Sequence, residues 1–306
     1  MYRGLLIADK PKGPTSHDVV EELRKKLKIR KIGHAGTLDP FATGVLIIGV
    51  GNATRLLEYV KDLRKTYRVK MKLGIITDTF DITGNVVEKR SCAVSELEII
   101  DTVLSFVGSY RQVPPAYSAR KYKGERLYKL ARAGKIIRLP PRQVTIHGVE
   151  DIEVNGDEVS FTVETSSGTY IRSLCADIGY KLGCGATAIE LRRTAVGRFT
   201  DDQAVDIFDS STEKIISSLI DISKALDFPK VSIKGEAKKR VLNGGPVFVS
   251  DVVEYERFSK SELVQVFVEE NLMMIARAQR SSKFLRTLVK HNKNEVVFKP
   301  EKVFKD

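Results

Sequence analysis

Apolar residues recur along the chain with two periods. Tyr67, Val69, Met71 and Leu73 alternate with Arg68, Lys70 and Lys72, and Val159, Phe161 and Val163 repeat the alternation. Both stretches are expected as strands with one buried face. Val19, Val20, Leu23 and Leu27 fall instead on one helical face behind Thr15-Ser16-His17-Asp18. That quartet is a capping box, in which a hydroxyl and a carboxylate satisfy free helix N–H groups. Ser95-Glu96-Leu97-Glu98 is a second box and starts a helix expected to end at Gly108. Leu174, Ile178 and Leu182 mark another helix, closed at Gly183. Apolar runs at 4–8 and 44–50 are expected as strands.

Strands and helices intersperse without strict βαβ alternation, which predicts an α+β fold: a mixed or antiparallel central sheet flanked by helices. A boundary is expected near Phe228-Pro229, dividing the chain into 1–228 and 229–306. The second part has a short basic helix at 234–242, a Gly244-Gly245-Pro246 turn and brief apolar runs at 247–249, 263–268, 272–276 and 296–298. Short strands with such punctuation predict a small β-barrel.

The 306 residues, 42% hydrophobic and 29% charged, suffice for a conventional soluble core. No apolar run has transmembrane length, and that near the N-terminus is too short for a secretory signal. Cys92, Cys175 and Cys184 form no CxxC pair, and with four scattered histidines they predict neither a zinc site nor a disulfide framework. The expected compartment is the cytoplasm, and nothing demands more than a monomer.

Charge sharpens this picture. The balance is +12. Residues 111–142 carry ten Lys/Arg against Glu125 alone, and Arg24–Lys31 adds six positives in eight residues. Residues 200–230, by contrast, hold seven acids and three bases. Several basic clusters beside an acidic segment predict a face for a polyanion. The basic excursion is bounded by Pro114-Pro115 and Pro140-Pro141 and has a short helix near 125–133.

Gly49-Val50-Gly51-Asn52-Ala53-Thr54 follows a strand but lacks the sixth glycine of a dinucleotide loop. No Walker GK[ST] and no GxSxG is present. In Gly33-His34-Ala35-Gly36-Thr37-Leu38-Asp39-Pro40-Phe41-Ala42-Thr43-Gly44, Asp39 has no acidic neighbour in sequence nearer than Glu22 and Glu58. Asp-Pro is common in turns, so Asp39 read alone is equally a turn residue. The surrounding glycines and hydroxyls favour close approach of a ligand.

This segment resembles the catalytic motif of the tRNA pseudouridine-55 synthases, the TruB family. Lys10-Pro11-Lys12-Gly13-Pro14-Thr15-Ser16, Lys65-Thr66-Tyr67, Ser167–Leu174 and Leu191–Gly197 resemble further motifs of that family, in family order. Gln112–Ala119 resembles the start of its RNA-clasping insertion, and 234–246 with the final strands resembles a PUA-type RNA-binding barrel.

The resemblance implies isomerisation of a T-loop uridine of tRNA to pseudouridine, without cofactor or metal. The base leaves its stack, loses its N-glycosidic bond, turns and rejoins through carbon. Asp39 would be the essential carboxylate, Arg172 its partner, and Tyr67 the aromatic platform. Lys10, His34, Tyr170 and Leu191 would contact substrate or support the pocket. Arg120, Lys121, Lys123, Arg126, Lys129 and Arg132 would bind RNA phosphates. A catalytically silent RNA-binding module and a guide-RNA-dependent relative are the rival readings.

Overall fold

The structure, a computed structural model, describes residues 2–118, 120–137 and 139–305, with the backbone alone for Lys121, Arg126, Tyr128 and Arg132. It divides into two compact units. The larger comprises Leu6–Ile48 and Leu57–Ser218, and the smaller Met1–Leu5, Gly49–Leu56 and Leu219–Asp306.

The larger unit is built on a mixed sheet. Its main path runs Val205–Asp206, Gly4–Lys10, Thr43–Val50, Ala186–Val196, Lys65–Leu73, Glu158–Thr165, Arg142–Asn155, Gly108–Gln112. The centre is antiparallel, with Tyr67 opposite both Val163 and Arg193. The alternation of Lys65–Leu73 puts Tyr67, Val69, Met71 and Leu73 into one core with Val159, Phe161 and Val163. Two helices, Glu96–Leu104 and Ile171–Lys181, close that face with Ile99, Val103, Leu174, Cys175 and Ile178. Burying such side chains contributes about 1.5–3 kcal/mol each. Gly179 lets the second helix touch the sheet, for a Cβ there would lie 2.1 Å from Ala186 N.

Both capping boxes form, at Thr15/Asp18 and Ser95/Glu98. The second helix stops at Leu104, short of Gly108, which opens a strand with φ 111°. Pairing of Gly108–Gln112 with Arg142–Ile146 overrides the glycine stop there. The excursion leaves the sheet edge at Gln112 and returns at its register partner Arg142. Within it lie a hairpin, Lys121–Tyr122 with Glu125–Arg126, and a helix at Leu127–Arg132.

Cys92 and Cys184 are joined as a disulfide, where the sequence predicted no disulfide framework. The pair is 92 residues apart, so spacing carries no trace of it. Cys175 is free and buried.

The smaller unit holds a six-stranded sheet, ordered Val247–Phe248, Val296–Val303, Asn271–Ala278, Leu263–Val268, Lys230–Ile233, Val252–Tyr255. Its two edge strands are consecutive in the chain and joined by three residues, Val249–Asp251. Three residues span at most about 10 Å, so the sheet curls nearly closed, as a barrel-like layer. Val231, Val264, Val266, Met274 and Phe298 fill its interior. The basic helix expected at 234–242 is a 3₁₀ turn, Gly235–Ala237, followed by a helix, Lys238–Leu242. Helix Ser282–Lys290, capped by Ser281, was not anticipated from the apolar runs. Among the described residues no helix is long and apolar enough to cross a membrane.

Candidate active site

Asp39 lies between two strands, Ile32–Ala35 and Thr43–Val50, on a loop gripped from beneath. Lys10, fully buried, donates from Nζ to Pro11 O (2.8 Å), Pro40 O (3.2 Å) and Ala42 O (2.7 Å). Ser16 Oγ accepts from Leu38 N at 2.9 Å and donates to Leu38 O at 3.2 Å, and Gly13 N donates to Pro40 O at 2.8 Å. The segment Lys10–Ser16 is therefore a cradle for the Asp39 loop. Of the two roles open to Lys10, loop support matches this geometry and contact with RNA does not, since its ammonium is buried under the loop. Burial pulls its pKa down to about 8, against the charge of Asp39, which raises it.

Above the cradle, Arg172 grips Asp39 in a two-point pair: Nε to Oδ2 at 2.7 Å and Nη2 to Oδ1 at 3.2 Å. Asp39 keeps 35% of its side chain exposed, whereas Arg172 keeps 3%. The remaining guanidinium protons are also engaged. Nη1 donates to Thr79 O (2.6 Å) and pairs with Asp81 Oδ2 (3.0 Å), and Nη2 donates to Tyr117 O (2.9 Å). Asp81 is buried and accepts on Oδ1 from Thr83 N (3.0 Å), Thr83 Oγ1 (2.5 Å) and Thr79 Oγ1 (2.9 Å). Between Thr79 and Asp81 stands Phe80 in the left-handed region, φ 61°, a strained position for a bulky residue. Arg172 is thus a buried cation bridging two carboxylates, one inside the core and one at the surface. Such a charge is tolerable because it is paired and fully hydrogen-bonded.

A cavity of about 550 Å³ opens beside the pair, lined among others by Asp39, Tyr67, Tyr170, Leu191 and Arg120. That is within the range of small-molecule sites. Five residues proposed from the sequence are therefore brought together, with Arg172 behind them. His34 is half-buried on its strand and does not line this cavity. Lys123 and Lys129 are exposed on the excursion. The side chains of Lys121, Arg126 and Arg132 lie outside the described residues.

Sequence reasoning passed over Asp81 and gave no site role to Gln112 or Arg193, which stand in the motifs Gln112–Ala119 and Leu191–Gly197. Asp81 sits in Thr79-Phe80-Asp81-Ile82-Thr83, which looks like any polar turn. Gln112, fully buried, accepts from Tyr170 N (2.8 Å) and donates to Tyr170 O (3.0 Å), clamping the residue that caps the helix bearing Arg172. No cluster of His, Cys, Asp and Glu among the described residues could hold a metal ion.

A mixed sheet thus presents an arginine-held aspartate at the mouth of a cavity, on a strongly basic chain. Comparison with known proteins gives the class. The family model "TruB family pseudouridylate synthase (N terminal domain)" matches residues 24–171, and "tRNA pseudouridylate synthase B C-terminal domain" matches residues 172–215. The chain is 58% identical over 306 residues to a tRNA pseudouridine synthase B of Thermotoga maritima, covering 99% of each chain. It is 43% identical to that of Clostridium kluyveri, covering 88% of this chain and 92% of the relative. Among solved structures, a subunit of an H/ACA ribonucleoprotein bound to a substrate RNA containing 2′-deoxyuridine superposes with TM-score 0.74 at 28% identity, covering 99% of this chain and 85% of that one. The chain belongs to the TruB family of pseudouridylate synthases, and is an isomerase.

Proposed function

We propose that this enzyme acts on tRNA as a cytoplasmic, stand-alone monomer and isomerises the uridine of the T-loop, position 55, with Asp39 as the essential carboxylate. The observation that carries the reading is the two-point pair between Asp39 and buried Arg172 at the cavity mouth. A guanidinium in that geometry offers the carboxylate two parallel donors and fixes its direction. The carboxylate then acts on the ribose, by attack at C1′ or by taking the C2′ proton. Either route releases the N1–C1′ electron pair to the uracil ring, and both need Asp39 charged. The freed ring turns and bonds through C5 to C1′, displacing the carboxylate in the first route or with the proton returned to C2′ in the second, and the C5 proton is lost while N1 gains one. No redox change and no co-reactant is involved. Tyr67 and Leu191 line the cavity in which the extruded base turns, and Tyr67 supplies a stacking face.

Exposed Lys123 and Lys129, with Arg120 at the cavity, support an excursion that contacts RNA phosphates. We read the smaller unit as a PUA-like RNA-binding domain. The rival, a guide-RNA-dependent subunit, is disfavoured because 57–58% identity links this chain to enzymes named for tRNA, against 28% to the ribonucleoprotein subunit.

Mapping pseudouridine in tRNA after incubation with the purified chain alone tests this. Modification confined to the T-loop is expected, with Asp39→Asn inactive yet still binding tRNA. Modification elsewhere, or an active Asp39→Asn, overturns the reading.

A further inference from the structure

The cavity beside Asp39 carries more positive charge than its carboxylates balance. Asp39 is neutralised by Arg172. Around it remain Lys61, Lys65, Arg120, Arg142 and Arg193, against Asp62. Two of these cations are buried, Lys65 at 5% exposure and Arg193 at 1%.

Arg193 is held rigidly on one side only. Its Nε donates to Val45 O at 2.7 Å and its Nη2 to Gly36 O at 2.9 Å. Nη1 makes no hydrogen bond to a described residue, and no described carboxylate comes within ion-pair distance of the guanidinium. Strand register places Arg193 directly opposite Tyr67, so the two side chains share the sheet face that lines the cavity. A bulge between Arg193 and Ala195 follows at once, the kind of irregularity that re-aims a side chain beside a site.

Lys65 donates to Lys61 O and Leu63 O, which leaves its third proton without a partner. Its pKa falls to about 8 through burial first and the charge of Arg193 second, with Asp62 opposing, so the two cations repel one another. Ser118 Oγ, 4% exposed and lining the same cavity, has no hydrogen-bond partner among the described residues.

Buried cations without a counter-charge are unfavourable, and so is a buried hydroxyl without a partner. A ligand that brings negative charge and acceptor oxygens relieves both. Resting on the reaction proposed above, we infer that Arg193 Nη1, Lys65 Nζ and Ser118 Oγ form an anion subsite for a phosphodiester adjoining the target uridine. An extruded nucleotide carries such a group on each side of its ribose. Held by charge-assisted bonds away from water, it would set the ribose against Asp39 as the glycosidic bond breaks. Arg193 is then a substrate-binding residue as well as a brace for the loop.

The test alters the RNA first and the protein second. A T-arm stem-loop is made with one uncharged methylphosphonate linkage, either 5′ or 3′ of the target uridine, and single-turnover rates are measured with the full-length enzyme. One of the two linkages is expected to lower the rate per unit concentration about 10–100-fold, the loss of a charge-assisted contact. In Arg193→Gln the same linkage should add at most about a further threefold effect, because the contact is already gone. Lys65→Gln gives the second coupled comparison should Arg193→Gln not fold. Wild-type tolerance of both linkages overturns the subsite. So does an equal loss in wild type and variant, which would leave Arg193 as a brace alone. Failure to modify the unaltered stem-loop at its T-loop uridine would instead overturn the function proposed above.

Discussion

Arg172 is surrounded by acceptors: two carboxylates and the carbonyls of Thr79 and Tyr117. Asp81 is the half of this arrangement that never meets solvent. Asp81→Asn keeps the shape but loosens the anchoring of Arg172 Nη1, so the guanidinium should orient Asp39 less well. A fall in kcat of about 10–100-fold is expected with little change in KM, the size of one charged hydrogen bond. Steady-state kinetics on tRNA check it. Lys10 gives a second case. Lys10→Met removes the ammonium donor from Pro11 O, Pro40 O and Ala42 O, of which Pro40 O keeps Gly13 N, so it should lower stability by about 2–4 kcal/mol and reduce kcat. The affinity for tRNA, measured by filter binding, should stay unchanged, which separates loop support from RNA contact.

At the scale of elements, the helix Ile171–Lys181 has no side-chain cap of its own at Tyr170. Its start is fixed from the neighbouring strand, because Gln112 takes both the N–H and the C=O of Tyr170. Gln112 in turn donates to Tyr110 OH at 2.6 Å, and that hydroxyl donates to Asp177 Oδ2 at 3.3 Å, on the same helix. Gln112→Leu orphans the Tyr170 N–H, at about 1–3 kcal/mol, while the Tyr170 C=O keeps its bond from Leu174 N, and the helix start that carries Arg172 shifts. Gln112→Glu should regain activity only at low pH, where a protonated carboxyl can still donate to Tyr170 O. Asp177 itself is pushed up to about 6 by burial, partly offset by the Tyr110 hydrogen bond. The folded chain therefore binds this proton more tightly than the unfolded chain, whose value is 3.8. Between those values stability falls as pH rises, and the loss is complete above the folded value. Asp177→Asn should thus raise stability by about 3 kcal/mol at pH 8 and by almost nothing below pH 4, read by denaturant titration at both.

For the whole molecule, the decisive quantity is charge. A balance of +12, concentrated on the excursion, makes binding to a polyanion strongly salt-dependent. Lys123→Gln and Lys129→Gln should each reduce the slope of log affinity against log salt by roughly 1, with kcat at saturating tRNA unaltered. A slope that does not change would remove these residues from the RNA-facing surface.

What the sequence determined by itself is local. Alternation marked the strands that carry Tyr67 and Phe161, because a pleated strand exposes and buries residues with period two. The capping boxes at Thr15 and Ser95 announced helices, because the free N–H groups of a first turn are satisfied within four residues. Charge runs announced a polyanion partner, since net charge needs no fold to be counted. The ordered motifs named the family. What only the tertiary structure decided depends on residues far apart in the chain: Asp39 with Arg172, separated by 133 positions, and Gln112 with Tyr170, by 58. The same holds for the disulfide and for the joining of Met1–Leu5 and Gly49–Leu56 to the C-terminal unit. Asp81 and Arg193 read as an ordinary turn and an ordinary strand arginine until burial is known. Only packing decides which charge is withdrawn from water, and withdrawal from water is what makes a charge need a partner.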